Sequence, residues 1–235
     1  KFKTIISYNN YASKHVAIGG ELGTSGSASI YITPNRFTAE SITFENAAGP
    51  VGQAVAAIVR SDEAQFINCR FLGFQDTLYT HKPGSKQYYH NCYVEGTVDF
   101  IFGASTAYFE ECDIYCKRNG YITAASTPEG QPYGYVFQNC RITGENPDSF
   151  YLGRPWRPYA HVAFIECKLS SVIKPAGWDN WRNEANEKTS QYLEYNNIGD
   201  GADTTQRVTW SRQLTQEELS QYSKINVLGE YFFRD

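Results

Sequence analysis

The sequence predicts an all-β protein, a right-handed parallel β-helix (β-solenoid), and three observations support this. A six-residue pattern, aromatic–x–polar–small–x–apolar, recurs six times between residues 37 and 169. The small position returns every 20 to 28 residues, a period typical of solenoids, in which each repeat packs only against its neighbours. The apolar runs are short and alternating without helical periodicity, which favours β-coils over helical or leucine-rich repeats. Parallel strands joined by crossovers are almost always connected with a right hand.

The elements follow in order along the chain. Residues 4–6 (TII) are β-prone, residues 19–27 form a Gly/Ser-rich loop, and residues 29–33 (SIYIT) predict a strand. Six copies of the pattern come next, at residues 37–42, 66–71, 89–94, 109–114, 137–142 and 164–169.

After residue 170 the pattern fades. Thr215 and Glu218 have the spacing of a capping box, which predicts a short helix from there through about Lys224. We expect one domain over residues 1–235, in which residues 170–235 form a last coil and a cap over the exposed end of the core.

The small position of the pattern predicts a ladder inside the core. Equivalent residues of adjacent coils lie about 4.8 Å apart in such a stack. We interpret its cysteines as small buried hydrophobic side chains rather than metal ligands, because no Cys/His spacing matches a zinc site. If any disulfide forms, we expect Cys92–Cys112, the pair with the shortest step. The small position holds Ser41, Cys69, Cys92, Cys112, Cys140 and Cys167, whereas Cys116 is off the ladder.

Composition excludes several classes of partner. Charged residues make up 20% of the chain and the net charge is −4, without a basic patch, so neither nucleic acid nor an anionic membrane is expected to bind. No apolar run has the length of a membrane span. The chain contains no Met, so Lys1 is not a translation start. We expect either that an N-terminal segment, for example an export signal, was removed or that the chain is a fragment.

Two nine-residue segments repeat each other and end on an aspartate. Residues 68–76 (NCRFLGFQD) and 91–99 (NCYVEGTVD) share Asn, Cys, Gly and Asp at the same offsets, so Asp76 and Asp99 take equivalent positions in consecutive coils. Carboxyl groups about 5 Å apart cannot both ionise easily, which leaves one as proton donor and the other as nucleophile or base. The alternative is a pair of separate turn-capping aspartates. The spacing would suit a retaining glycosidase equally well.

Other polar residues suggest partners for this pair. The amides of Gln53 and Gln75 can stabilise a developing oxyanion, although each alone is more simply a surface or ladder amide. Arg154 can hold a carboxylate with two parallel hydrogen bonds, and the nearby Trp156 can stack on a sugar ring. Taken without context, that Arg–Trp pair is also compatible with simple packing.

Four segments resemble, in order, the signature segments of pectin methylesterases (pectinesterases). They are residues 52–56 (GQAVA), 73–79 (GFQDTLY), 96–103 (GTVDFIFG) and 152–156 (LGRPW), within a resemblance that runs from about residue 23 to 210. Residues 42–46 and 194–197 are similar as well. The resemblance implies a β-helical enzyme that hydrolyses methyl esters of polygalacturonate (pectin, or homogalacturonan) and needs no metal or organic cofactor. It also implies a secreted or periplasmic protein, which we expect to be a monomer. Domains of this family begin with further coils and a cap that this sequence does not show, so we expect those coils to be lost, to belong to a separate chain, or to be replaced by another covering element.

The family's functional residues carry over motif by motif. The resemblance implies Asp99 as nucleophile and Asp76 as general acid, then base. It makes Gln75 the main oxyanion donor with help from Gln53, and it has Arg154 orient Asp99. The implied substrate contacts are Thr24, Tyr79, Phe102, Arg154 and Trp156.

Three alternatives remain at the level of sequence. The chain could be another polyuronate enzyme on the same solenoid, a glycoside hydrolase or a lyase, which would create new reducing ends or unsaturated products. It could hydrolyse acyl thioesters at the same site. It could also be a non-catalytic carbohydrate-binding homologue, but a pure binder has no use for the paired acids Asp76 and Asp99.

Overall fold

The computed structural model describes residues 3–17 and 19–233, and the predicted parallel β-helix is confirmed. Most coils add one strand to each of three parallel sheets. The first sheet contains β1 (Thr4–Tyr8), β4 (Ile42–Asn46), β7 (Arg70–Leu72), β10 (Tyr93–Gly96), β13 (Asp113–Cys116), β16 (Arg141–Gly144) and β19 (Lys168–Leu169). The second contains β2 (Ile30–Ile32), β5 (Ala57–Val59), β8 (Leu78–Thr80), β11 (Ile101–Gly103), β14 (Gly120–Ala125) and β17 (Phe150–Pro155). The third contains β3 (Thr38–Glu40), β6 (Ala64–Ile67), β9 (Lys86–His90), β12 (Thr106–Glu110), β15 (Tyr135–Gln138), β18 (His161–Ile165), β20 (Gln191–Tyr195) and β21 (Arg212–Gln213).

Helical elements are short and lie in the connections between strands or after the last strand. Within the described residues, no helix has the length and apolar character needed to span a membrane. The α-helices are α1 (Gly23–Gly26), α2 (Gln216–Leu219) and α3 (Lys224–Leu228), and the 3₁₀ helices are Glu184–Lys188, Asp200–Ala202, Ser220–Tyr222 and Glu230–Phe233.

A ladder of aromatic rings runs through the core along the third sheet. Its members pair in register between adjacent strands, and each is fully buried. Neighbouring ring centroids lie 4.4 to 4.9 Å apart with interplanar angles of 3° to 10°, so the rings stack on one another. Both the burial of apolar area and the ring stacking stabilise the coils. The ladder consists of Phe66, Tyr89, Phe109, Phe137 and Phe164.

The cysteine ladder is also present, and its thiols are free. All six cysteines lie in the described part of the chain, and the expected Cys92–Cys112 disulfide is not formed. Adjacent in-register side chains project in the same direction one strand spacing apart, whereas a disulfide needs Cβ atoms about 3.5–4.5 Å apart. The Cys92 Sγ instead donates to the Phe66 carbonyl at 3.2 Å, and burial raises the pKa of the Cys112 thiol well above its ordinary value.

The first copy of the pattern was placed wrongly by sequence. Strand β4 pairs with β7 so that Ile42, not Ser41, takes the position of Cys69. Ser41 is instead equivalent to Asn68, and both residues adopt the left-handed conformation, with φ of 57° and 54°. Ala39, not Phe37, is in register with Phe66 of the aromatic ladder. Phe37 lies two residues earlier and packs against the Phe66 ring at an angle. Phe37 and Ser41 therefore match the residue types of the pattern but not its strand register.

The segment after residue 170 has two structural roles. Trp178 stacks on Tyr192 with ring centroids 4.3 Å apart, and Trp210 packs behind them, so these residues close the end of the core. The helices that follow do not cover the end of the core. They pack on the outer face of the third sheet, and Val227 and Leu228 are buried there.

The predicted capping box is present, but the single helix through Lys224 is wrong. The Thr215 hydroxyl accepts from the Glu218 N–H at 3.2 Å, and the Glu218 carboxylate accepts from the Thr215 N–H at 2.8 Å. The chain continues from α2 into a 3₁₀ turn at Ser220–Tyr222 and then leaves helical geometry at Ser223, which is extended (φ −59°, ψ 147°), before α3 begins. This break lets the chain turn so that both helical faces reach the sheet.

Removing one ring of the aromatic ladder should destabilise the whole stack. Phe109 lies between Tyr89 and Phe137, so Phe109→Ala should lower the free energy of unfolding by about 3–5 kcal/mol through lost burial and a residual cavity. Urea denaturation followed by circular dichroism measures the change. Tyr159→Ala, at an aromatic side chain that is 37% exposed, is the control and should change the free energy by less than about 0.5 kcal/mol. Equal effects of the two replacements would contradict the ladder's role.

Candidate active site

Asp76 and Asp99 lie in the turns between the first and second sheets, one coil apart. Leu78 pairs with Ile101, so the aspartates two residues earlier are equivalent as well. Both adopt the left-handed conformation, with φ of 63° and 53°, a region that Asp tolerates better than most residues. The Asp76 N–H donates to the carbonyl of Val98 at 3.0 Å, which ties the two turns together. The side chains are almost fully buried, with 4% and 6% of the residue exposed.

Arg154, at the end of β17, holds Asp99 with a two-point contact. Its Nε donates to one carboxylate oxygen at 2.8 Å and its second guanidinium nitrogen donates to the other at 2.7 Å. The guanidinium lies between the rings of Tyr121 and Trp181, 3.8 and 3.7 Å from their centroids. A planar cation gripped on both faces can offer its fork in only one orientation, which fixes the rotamer of Asp99.

Burial dominates the electrostatics of the carboxyl pair. It raises the pKa of Asp76 well above 3.8, and the charge of Asp99 raises it further, while the Gln53 amide and Arg154 act in the opposite direction. Burial also raises the pKa of Asp99, but hydrogen bonding and attraction from Arg154 oppose it directly. Asp99 therefore ionises more readily than Asp76, as required for a pair in which one member carries the proton.

A cleft of about 210 Å³ opens over these carboxyl groups. Gln53 and Gln75 sit beside each other on adjacent coils at its edge, and Thr24 reaches it from α1. The structure thus brings together every residue that the sequence assigned to the site. The lining residues are Thr24, Gln53, Gln75, Asp76, Tyr79, Asp99, Phe102, Ala124, Arg154, Trp156 and Trp181.

Three aromatic side chains form an apolar wall of the cleft. The rings of Tyr79 and Phe102 stack with centroids 4.2 Å apart, because they pair in register between β8 and β11. Trp156 meets Tyr79 edge-on at 6.1 Å and Phe102 at 5.9 Å. A half-buried aromatic surface next to charged groups suits a ring that is apolar on its face and polar at its rim, as a sugar is.

Sequence reasoning missed Trp181 and Tyr121, the two rings that clamp Arg154. Tyr121 comes from β14, whose pattern resembles that of any other strand. Trp181 lies outside the repeat, in a segment whose path no periodicity predicts. Its N–H donates to the side chain of Asp179 at 2.8 Å, and both Trp181 and Arg182 have positive φ, 59° and 56°. The sequence WDNW at residues 178–181 was the available signal.

The buried carboxyl group of Asp76 should make the protein less stable at neutral pH than a neutral side chain of the same shape would. The pKa of Asp76 in the folded state lies above its ordinary value of 3.8. Its contribution to the free energy of unfolding is therefore fully present below pH 3.8 and is lost as the pH rises through the raised pKa. Asp76→Asn should therefore raise the melting temperature at pH 7 and leave it unchanged below pH 3.8. Each pH unit between the two pKa values corresponds to about 1.4 kcal/mol. Thermal denaturation at both pH values tests this, with Asp148→Asn at an exposed position as control. A lower melting temperature for Asp76→Asn at pH 7 would refute it.

Comparison with known proteins shows the family. A family model described as Pectinesterase matches residues 2–230. Pectinesterase 31 from Arabidopsis thaliana is 46% identical over 228 residues, covering 93% of this chain and 71% of the relative. The pectin methylesterase from carrot superposes with a TM-score of 0.86 at 35% identity, covering 96% of this chain and 74% of the other. Another pectin methylesterase structure superposes with a TM-score of 0.82 at 28% identity, covering 97% and 80%.

The match extends over nearly all of this chain but only part of some relatives. The chain spans 59% and 40% of the length of two further Arabidopsis thaliana proteins, Pectinesterase QRT1 and Pectinesterase 4. The ordered motifs, the parallel β-helix and the family model all agree. This chain belongs to the pectinesterase family of carboxylic ester hydrolases.

Proposed function

We propose that this protein hydrolyses the methyl esters of pectin, giving methanol and free carboxylates on polygalacturonate. The observation that carries the proposal is the Arg154–Asp99 fork beside the more weakly acidic Asp76, in one cleft of a chain of this family. One of the similar structures is a pectin methylesterase in complex with a hexasaccharide, which supports a polysaccharide substrate. The whole of residues 1–235 would act as one domain and a monomer, outside the cell where pectin occurs.

Asp99 is the nucleophile of the proposed mechanism. One of its oxygens attacks the C6 carbonyl carbon of the methyl ester, and the bond to methoxide breaks as the tetrahedral intermediate collapses. Arg154 keeps the attacking carboxylate ionised and in one rotamer, so the oxygen is presented in a fixed direction. The product of this step is a mixed anhydride between Asp99 and the C6 carboxyl group.

Asp76 handles the proton in both steps. Its raised pKa keeps a proton available, which passes to the departing methoxide as methanol forms. The resulting Asp76 carboxylate then takes a proton from a water molecule, whose oxygen attacks the anhydride. Asp99 leaves as a carboxylate, and the pectin carboxyl group loses the second proton of the water to solvent on release, so both aspartates return to their starting protonation.

The glutamines supply donors for the negative charge that develops on the carbonyl oxygen. Gln75 and Gln53 are neutral, so they stabilise the oxyanion without forming an ion pair with either aspartate. The aromatic wall of Tyr79, Phe102 and Trp156 would hold the galacturonate rings, and Thr24 would contact the chain from the opposite edge. These contacts orient the ester over Asp99.

Product analysis separates this function from its rivals. Highly methylated pectin incubated with the protein should release methanol without new reducing ends and without unsaturated products. New reducing ends would indicate a glycoside hydrolase, and unsaturated products a lyase. An acyl-thioester panel in parallel tests the remaining enzymatic alternative, and absence of all products despite pectin binding would leave a binding protein.

Replacing the nucleophile should abolish turnover without abolishing binding. Asp99→Asn keeps the shape of the side chain but removes its charge, so we expect kcat to fall by roughly 10⁴-fold or more. Pectin affinity, measured by isothermal titration, should stay within a few fold of the parent value. Near-normal turnover would show that another group is the nucleophile, and lost affinity with normal turnover of the bound complex would make Asp99 a substrate contact.

Replacing the Arg154 guanidinium by an ammonium group should lower the rate more than the affinity for pectin. Arg154→Lys keeps a positive charge but can neither make both hydrogen bonds nor stack between Tyr121 and Trp181. We expect kcat to fall by about 10²-fold with KM within a few fold, because the misdirected nucleophile affects the transition state. Steady-state methanol release measures both constants. Arg141→Lys, which breaks an exposed two-point contact with Asp113 away from the cleft, is the matched control.

A further inference from the structure

Lys117 reaches across two coils to the turn that carries Gln75 and Asp76. It directly follows β13, and the register of the first sheet places it in line with Thr97 and Phe74. Two strand spacings, about 9.6 Å, separate its backbone from that of Phe74. The side chain bridges this distance: Nζ donates to the Gly73 carbonyl at 3.0 Å and lies 3.6 Å from the centroid of the Phe74 ring.

We propose that Lys117 is a positioning residue that fixes the turn at residues 73–76 and thereby aims the Gln75 amide at the reacting carbonyl. The inference rests on the proposed esterase function, in which Gln75 stabilises the oxyanion. Lys117 itself does not line the cleft that holds Asp76 and Asp99. Lys117 acts from the opposite side of the turn, through its contacts with the Gly73 carbonyl and the Phe74 ring.

The surroundings make these contacts effective. The Lys117 ammonium also pairs with Glu95 at 2.9 Å, and the two side chains are only 17% and 19% exposed. Partial burial shields the ion pair and the contact between cation and ring from water, which strengthens both. Glu95 is itself held by the hydroxyl of Tyr93 at 2.9 Å, and Arg118 lies on the Phe74 ring at 5.5 Å. The ammonium therefore has one fixed position.

The start of the turn depends on such an external contact because Gly73 has no side chain with which to anchor itself. A Cβ at Gly73 would lie 2.6 Å from the Thr77 hydroxyl, so the position is restricted to glycine. The Phe74 carbonyl is bound by the Thr97 N–H at 2.9 Å and the Gln75 carbonyl by the Ala54 N–H at 3.1 Å. Those bonds hold the backbone at and after Phe74, whereas Lys117 holds the Gly73 carbonyl and the Phe74 ring.

A displaced Gln75 amide would affect the transition state selectively. Losing an oxyanion donor outright lowers kcat by about 10²–10³-fold. Losing its support should misplace it for part of the time, so we expect a decrease of about tenfold in kcat. The interaction forms only as the oxyanion develops, so kcat and kcat/KM should fall together with KM unchanged.

Five variants test the inference on pectin. Lys117→Met keeps a long apolar stem without the charge and should show the tenfold loss in kcat, whereas Lys117→Arg should restore most of it. Arg141→Gln is the matched control, because it breaks another ion pair between coils of the first sheet, Arg141–Asp113 at 2.7 Å, away from the turn. In a Gln75→Ala background, Lys117→Met should cost less than twofold, since the two changes act through one group. Equal losses in both backgrounds, or a loss of the same size in Arg141→Gln, would overturn the proposal.

A second measurement does not depend on the reaction. Amide hydrogen exchange should become faster in Lys117→Met at Asp76 and Thr97, whose N–H groups bond across the turn, and should not change there in Arg141→Gln. Unchanged exchange at both amides would overturn the positioning role even if the parent protein released no methanol. Absence of methanol release by the parent, with faster exchange in Lys117→Met, would count against the proposed esterase function and leave the positioning of the turn established.

Discussion

The in-register stacking of parallel coils is the constraint on which the rest of this structure depends. One strand spacing of about 4.8 Å separates equivalent residues. Where the equivalent residues are aromatic, this spacing lets rings such as Phe109 stack on both neighbours and fills the core. Where they are acidic, it forces two carboxyl groups into one buried site. The same repeat that stabilises the fold thus produces the electrostatic conflict between Asp76 and Asp99.

The fold tolerates this conflict because the stack stabilises both turns independently of the carboxyl groups. Each aspartate has a left-handed backbone and a raised pKa, so each contributes unfavourably to stability at neutral pH. The charge of Arg154 lowers the pKa of both aspartates, but Arg154 forms hydrogen bonds only with Asp99. That asymmetry suits the proposed roles, a charged nucleophile at Asp99 and a proton-bearing acid at Asp76. A second cation on Asp76 would stabilise the protein but remove the proton that the proposed mechanism gives to the leaving group.

Periodicity explains both what the sequence could predict and what it could not. The offset between Asp76 and Asp99 equals one repeat, so their proximity followed directly from a β-helix. The position of Ser41 was misassigned because the first copy contains the right residue types at a different spacing, and only strand pairing reveals the register. Trp181 could not be predicted, since it belongs to a segment outside the repeat whose course depends on tertiary contacts.

The segment that closes the core also completes the site. Phe164 is the last ring of the aromatic ladder, and the residue in register with it on the next strand, β20, is Glu194. The Glu194 carboxylate forms a buried ion pair with Arg207 at 2.8 Å. A buried pair of this kind adds little net stability compared with apolar packing, but it specifies one arrangement. Here it also accepts the indole N–H of Trp178 at 3.3 Å, which anchors the chain three residues before Trp181. Because Trp181 stacks on the Arg154 guanidinium, the way the stack ends determines how firmly Asp99, the proposed nucleophile, is held.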